Sequence, residues 1–293
     1  MALQVSEQIG TLVADGRITA EDAARFTDFV GTCNRELMTH TVITDNKFCR
    51  WFAKGEMDRE IVRHFVVQFS VFSNLFLIAQ LQKVINAGSL EGMRASKEIL
   101  ANELGVMFNK PGTGLSDGQD TDREGDPDCV SLQGSVDGGT FRFRAAHFEW
   151  LVRMGKHLDL GFNDMGKRRH GTPATLYFCD KLCEIYGNED PNIAEGASFA
   201  VENWAAAGFW KQLIAGLDHF KKREAPKLPL AFFTWHDKIE EQHADHVMDE
   251  LEELYFEDGF DEEKFLQGGR AMLDGVQAFW EGLNQHRIAY YFG

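Results

Sequence analysis

The chain has 293 residues and a mass of 33.2 kDa, enough for one large domain or two small ones, since single cores stop growing near about 250–300 residues. Hydrophobic residues make up 44% and aromatic residues 12%, which supports a sizeable core and excludes wholesale disorder. Thirty basic against 46 acidic residues leave a formal charge of −16, so nucleic-acid backbones and anionic membranes are disfavoured as partners.

The opening Met1-Ala2-Leu3-Gln4-Val5 lacks a basic region followed by an apolar one, and no signal peptide is expected. Thr19-Ala-Glu-Asp22 resembles a capping box and starts a helix to about Met38. A short helix over roughly Asn46 to Lys54 ends at Gly55. Asp58 caps a long one, in which Ile61, Phe65, Phe69, Phe72, Phe76 and Ala79 recur at three- and four-residue steps, as a buried stripe requires. Its most apolar part, Phe65 to Ile78, is broken by Gln68, Ser70, Ser73 and Asn74 and reads as core, not as a membrane span. Another helix covers about Leu90 to Phe108.

Residues 109–140 differ, with seven glycines, two prolines and many aspartates. They read as an acidic, Gly-rich loop insertion, with Val136-Asp-Gly-Gly-Thr140 as the turn of a β-hairpin. Asp120-x-Asp122-x-Glu124-Gly125 imitates the first half of a calcium loop, but position twelve is Ser131, so calcium is not expected. Helical pattern returns from near Phe143 to Leu158, then from Thr172-Pro173, an N-cap plus N1 proline, to before Gly187. Two long helices follow, about Pro191 to Lys222 and Leu230 to Tyr255, and a last one spans Glu262 to Arg287. The expected architecture is all-α: one helical domain over 1–293, seven to nine helices and one decorated loop. Five cysteines read as reduced thiols of a cytoplasmic protein, with Cys179 and Cys183 as two small residues on one helix face.

The segment Trp235-His236-Asp237-Lys238-Ile239-Glu240-Glu241-Gln242-His243 carries the chemistry. At about 100° per residue, Glu240 lies about 40° and His243 about −20° from His236, so the three share one stripe, while His246 lies about 80° away. The flanking Leu230, Phe232, Phe233, Ile239 and Val247 bury that stripe, and buried imidazoles and carboxylates are costly unless something binds them. Nitrogen and oxygen donors without thiolate suit iron, manganese or zinc. Further donors come from other helices. Glu202 is a lone acid in an apolar run, with Glu195 as competitor; His147 sits among Ala145, Ala146 and Phe148; Glu103 sits in Asn102-Glu-Leu-Gly105. Only Glu240/His243 forms a Glu-x-x-His pair among the ten histidines, so the ferritin-type arrangement, which needs two, is disfavoured.

Those residues resemble the heme-oxygenase-like di-iron oxidases and oxygenases, related by fold to thiaminase-type and pyrroloquinoline-quinone-synthase proteins. The likeness rests on Asn102-Glu103-Leu104-Gly105, His147, Glu202 and the stripe His236-x3-Glu240-x2-His243, in that order. The stripe acid is usually Asp in that family and is Glu240 here, and Glu98 is an outside option for the first ligand. The resemblance implies a heme-oxygenase-like helical bundle in which Glu103, His147, Glu202, His236, Glu240 and His243 hold two Fe2+ ions. It implies O2 as co-substrate and oxidation of a small metabolite such as an amino acid or fatty acid. Phe232, Phe233, Trp235 and Trp204 are candidate wall residues, and Arg144 or Lys156 candidates for holding a substrate carboxylate. A homodimer is compatible with this reading; nucleic acid and membrane are not expected partners. Two other classes remain: a metal-free thiaminase-like helical enzyme using a carboxylate and a cysteine, and a non-catalytic helical binding protein.

Overall fold

Helix starts follow local chemistry. Thr19 closes a complete capping box on α2 (Ala20–Glu36), and Asp58 Oδ1 accepts from the Ile61 N–H at 3.1 Å to open α5 (Arg59–Ile85). Ser89 opens α6 (Leu90–Glu103), Thr172 with Pro173 opens α8 (Pro173–Ile185), Asp190 with Pro191 opens α9 (Pro191–Ala205), and Asp261 opens α12 (Glu262–Phe292). α1 (Gln8–Ala14), α3 (Thr41–Thr44), α4 (Lys47–Phe52), α7 (His147–Lys156), α10 (Phe209–Glu224) and α11 (Ala231–Tyr255) complete the set. The computed structural model describes residues 3–6, 8–109, 130–136, 139–143 and 147–293; the side chains of 91, 107–109, 130–136, 139–143, 239–247 and 249 lie outside that description.

Among the described residues there are twelve α-helices. This exceeds the seven to nine expected: α1 and α3 are additional, and one expected helix is split into α9 and α10. Two differences from expectation have clear causes. The stretch 191–222 is two helices, because Gly208 takes a left-handed φ of 92° and ends the run. The break lets the Trp204 and Phe209 rings stack at 4.4 Å and 7°. The helix expected to reach Phe108 stops at Glu103, where Gly105 at φ 69° turns the chain into a strand.

That strand, β1 (Val106–Asn109), joins β2 (Val130–Val136) and β3 (Gly139–Phe143) in an antiparallel sheet of order β1-β3-β2. The expected hairpin in the insertion is therefore present, and Phe143 belongs to it instead of to the next helix. The calcium-like stretch 120–125 lies outside the described residues.

α5 is the central helix and packs on α6, α7 and α8, while α12 crosses α8 and α9. It is long and apolar enough to span a membrane by length and composition. Its polar groups are nevertheless engaged inside the bundle. Gln68 bonds His170 and Thr172, Asn74 bonds the Gly166 carbonyl, and Gln80 bonds the Ser96 carbonyl. It is a core helix, with Phe65 and Phe69 fully buried among the rings of Phe52, Phe233 and Phe279. α9 and α12 approach backbone to backbone: a Cβ on Gly196 would lie 1.9 Å from the Phe265 carbonyl oxygen, and one on Gly268 would lie 2.0 Å from that of Ile193.

Candidate metal centre

The sheet explains how two distant residues meet. Glu103 ends α6 three residues before Val106, and His147 begins α7 four residues after Phe143. Val106 pairs directly with Phe143, so the helix end and the helix start are held at one level. His147 Nδ1 lies 2.8 Å from Glu103 Oε2, with the two side chains only 7% and 14% exposed.

The third partner comes from α11. Phe232 and Phe233 are buried and fix the first turns of that helix in the core. His236 follows, its ring 4.7 Å from that of His147. One donor atom each from Glu103, His147 and His236 fall within 4.8 Å of one another. His236 Nδ1 lies 2.5 Å from the Phe232 carbonyl oxygen. A ring that donates Nδ1–H to a backbone carbonyl keeps Nε2 as a lone-pair donor, the arrangement usual for metal-bound histidine. The donors are one carboxylate and two imidazoles, closely spaced and shielded from bulk water, and they fit a divalent transition metal.

Aromatic rings pack around both imidazoles. Trp235 lies 4.6 Å and Trp150 5.4 Å from His147; Phe232 lies 4.3 Å and Trp210 4.8 Å from His236. Phe232 and Trp235, two of the candidate wall residues, thus pack against the imidazoles. Phe233 instead packs into the core against Phe65 and Phe69, and Trp204 packs against Phe209 and Trp280. Trp150 and Trp210 carry no sequence signal that separates them from ordinary core aromatics, and only their placement reveals them.

The other candidates fall as follows. Glu202 is half-buried on α9, outside the three-residue cluster. Glu240 and His243 lie on α11, about one and two turns beyond His236, and their side chains, with that of His246, lie outside the described residues. Glu98 is exposed on α6, whereas Glu103 on the same helix is half-buried. Lys156 is exposed at the far end of α7, about 14 Å along the helix from His147, so it does not sit beside the cluster as expected. Arg144 lies outside the described residues.

A second buried polar group lies elsewhere in the bundle. Lys83 Nζ donates to Ser198 Oγ at 2.7 Å and sits 3.5 Å from Glu195 Oε2. Its ammonium lies 4.8 Å from the Tyr186 ring centre. Burial opposes the lysine's charge, but Tyr186, Glu195 and Glu202 together raise its pKa, so it stays protonated. Glu195, the competitor to Glu202 in sequence, therefore has an ion-pair partner of its own.

Known proteins resemble this chain in fold. No known protein family and no curated protein matches it by sequence. A TenA homologue from Pseudomonas syringae pv. tomato superposes with a TM-score of 0.58 at 10% identity, covering 90% of this chain and 93% of its own. A domain of unknown function with a heme-oxygenase-like fold from Shewanella denitrificans gives 0.59 at 13% identity, with 90% and 96% covered. A CADD-like protein of unknown function from Nostoc punctiforme gives 0.55 at 15% identity, with 92% and 99% covered. At such identities the likeness speaks for the fold alone: this chain has the heme-oxygenase-like, TenA-type helical fold.

Proposed function

We propose that the chain is a metal-dependent oxidoreductase whose centre is built on Glu103, His147 and His236. The observation that carries this reading is the convergence of their three donor atoms within 4.8 Å, from three separate helices. Glu202, Glu240 and His243 are the proposed further ligands, giving six donors for two Fe2+ ions. When bound, the metal pair supplies the electrons that reduce dioxygen. The protein's own residues do the rest. His236 is oriented through its Nδ1 contact to the Phe232 carbonyl, and His147 is held by Trp150 and Trp235. The surrounding rings keep bulk water away, which strengthens the hold of the ligands on a cation. The substrate class is a small metabolite.

A cysteine nucleophile in the metal-free thiaminase-like alternative would have to be an activated thiol, because the thiolate is the nucleophile. The four described cysteines do not offer one. Burial pushes Cys33 and Cys179 up to about 12, and raises Cys49 and Cys183 above the ordinary thiol range. Cys129 lies outside the described residues.

The test is anaerobic loading with Fe(II), removal of loose metal, then oxygen-uptake measurement with and without a panel of amino and fatty acids. Oxygen consumption that depends on bound iron and rises with one substrate supports the reading. A protein that binds iron no better than a non-specific acidic control would overturn it.

A further inference from the structure

Three tryptophans, Trp204, Trp210 and Trp280, are 3–5% exposed, yet their Nε1–H groups have no hydrogen-bond partner among the described residues. Buried indoles ordinarily satisfy that donor, and leaving one unmade is costly. The three are connected in space. Trp210 stacks on His236 at 4.8 Å and 23°. Phe209 bridges Trp210, at 4.3 Å, to Trp204, at 4.4 Å. Trp204 lies 6.4 Å from Trp280. Beyond it, Phe48 touches both Trp280 and Trp51 at 5.8 Å, and Trp51 lies 6.1 Å from Tyr291, which is 37% exposed. Five oxidisable rings, with Phe209 and Phe48 packed between them, thus run from a candidate metal ligand to the surface.

We propose that Trp210, Trp204, Trp280, Trp51 and Tyr291 form an electron conduit that drains an unused oxidising equivalent from the metal centre. The proposal rests on the metal-centred function above. Trp210 would give one electron to a bound metal that dioxygen has oxidised, and would be left as an indole cation radical. That radical would normally shed its Nε1 proton. With no acceptor beside Trp210, Trp204 or Trp280 among the described residues, the proton stays and the positive hole moves on. At Trp51 the Arg287 guanidinium, 4.7 Å from the ring centre, opposes a second positive charge. Tyr291 then gives up one electron, and its phenolic proton passes to water. A solution thiol restores the tyrosine by returning one electron and one proton, and becomes a thiyl radical that ends as disulfide. No bond within the chain is broken. The unpartnered indoles are accounted for: a hydrogen-bond acceptor at any of them would trap the hole in the core.

Two measurements test this. Iron-loaded protein is exposed to oxygen without substrate, freeze-quenched for electron paramagnetic resonance, and mapped for oxidised residues by peptide mass spectrometry. Wild type should show a tyrosyl radical, and Tyr291→Phe should move the radical signal onto tryptophan. Trp204→Phe should lower the tyrosyl yield several-fold and concentrate oxidation at Trp210, with iron content and helicity unchanged. Separately, metal-free protein is oxidised from outside by photogenerated tris(bipyridine)ruthenium(III). The buried Trp204 and Trp280 should be oxidised in wild type and several-fold less in a Trp51→Phe/Tyr291→Phe variant. Variants that give wild-type maps in both measurements overturn the conduit. Failure to bind iron, by contrast, overturns the metal reading and removes the source of the hole.

Discussion

Two polar clusters lie inside the same bundle and differ in charge balance. Around Lys83, an ammonium is met by Ser198, Glu195 and the face of Tyr186, so the anionic charge there is offset by a cation. Around His236, two imidazoles and a carboxylate converge with aromatic rings on several sides. Buried polarity alone therefore does not mark a metal site; a surplus of lone-pair donors over cations does.

The comparison breaks most sharply at the ligands. His236→Ala should weaken Fe(II) binding by more than the ~10–100-fold that losing an outer-sphere partner costs, with circular dichroism unchanged. Lys83→Met should change iron affinity far less than His236→Ala, because it reaches the proposed ligands only through its charge on Glu202. Equal losses in the two variants, measured by metal titration, would erase the distinction between the clusters. Lys83→Met should instead lower unfolding stability by about 1–3 kcal/mol, less than for a fully buried pair because Glu195 can rehydrate. Denaturant melts read this directly.

The scaffold between the clusters offers a comparable effect. Gly196 faces the Phe265 carbonyl on the α9–α12 crossing, and Gly196→Ala would force those backbones apart. We expect a destabilisation of about 1–3 kcal/mol by denaturant melt. Because α9 also carries Glu202, iron affinity should fall with it.

The smallest effect concerns pH. Burial, with the His286 ring stacked at 3.5 Å, lowers His64 from its ordinary 6.5 to about 4. The unfolded chain protonates this group first as pH falls. Stability should be flat above about pH 6.5, decline between 6.5 and about 4, and cease to change from this source below. The loss is on the order of 1–2 kcal/mol, since the pair is partly exposed. A His64→Phe variant should flatten that limb in a pH series of melts.

Much of the fold was legible in the sequence because caps and periodicity are local signals. Thr19, Asp58 and Thr172-Pro173 start helices where their chemistry predicts. The break at Gly208 was not, since a lone glycine in an apolar run reads equally well as helix. At the site, His236 was readable from the spacing on α11, and Glu103 and His147 from their likeness to a family pattern. What joins them was not: the β1–β3 pairing that sets Glu103 beside His147 depends on register between segments 37 residues apart at Val106 and Phe143. Trp150 and Trp210 were missed for the same reason, because their role lies in which rings they touch and not in their own neighbours along the chain.

The most direct test is diffraction from crystals soaked anaerobically in Fe(II), with anomalous data collected across the iron edge. The account predicts iron bonded to Glu103, His147 and His236, with donor distances of about 2.0–2.2 Å, as for similar nitrogen and oxygen ligands. No anomalous peak at these three residues at saturating iron, whether or not iron binds elsewhere, would contradict it.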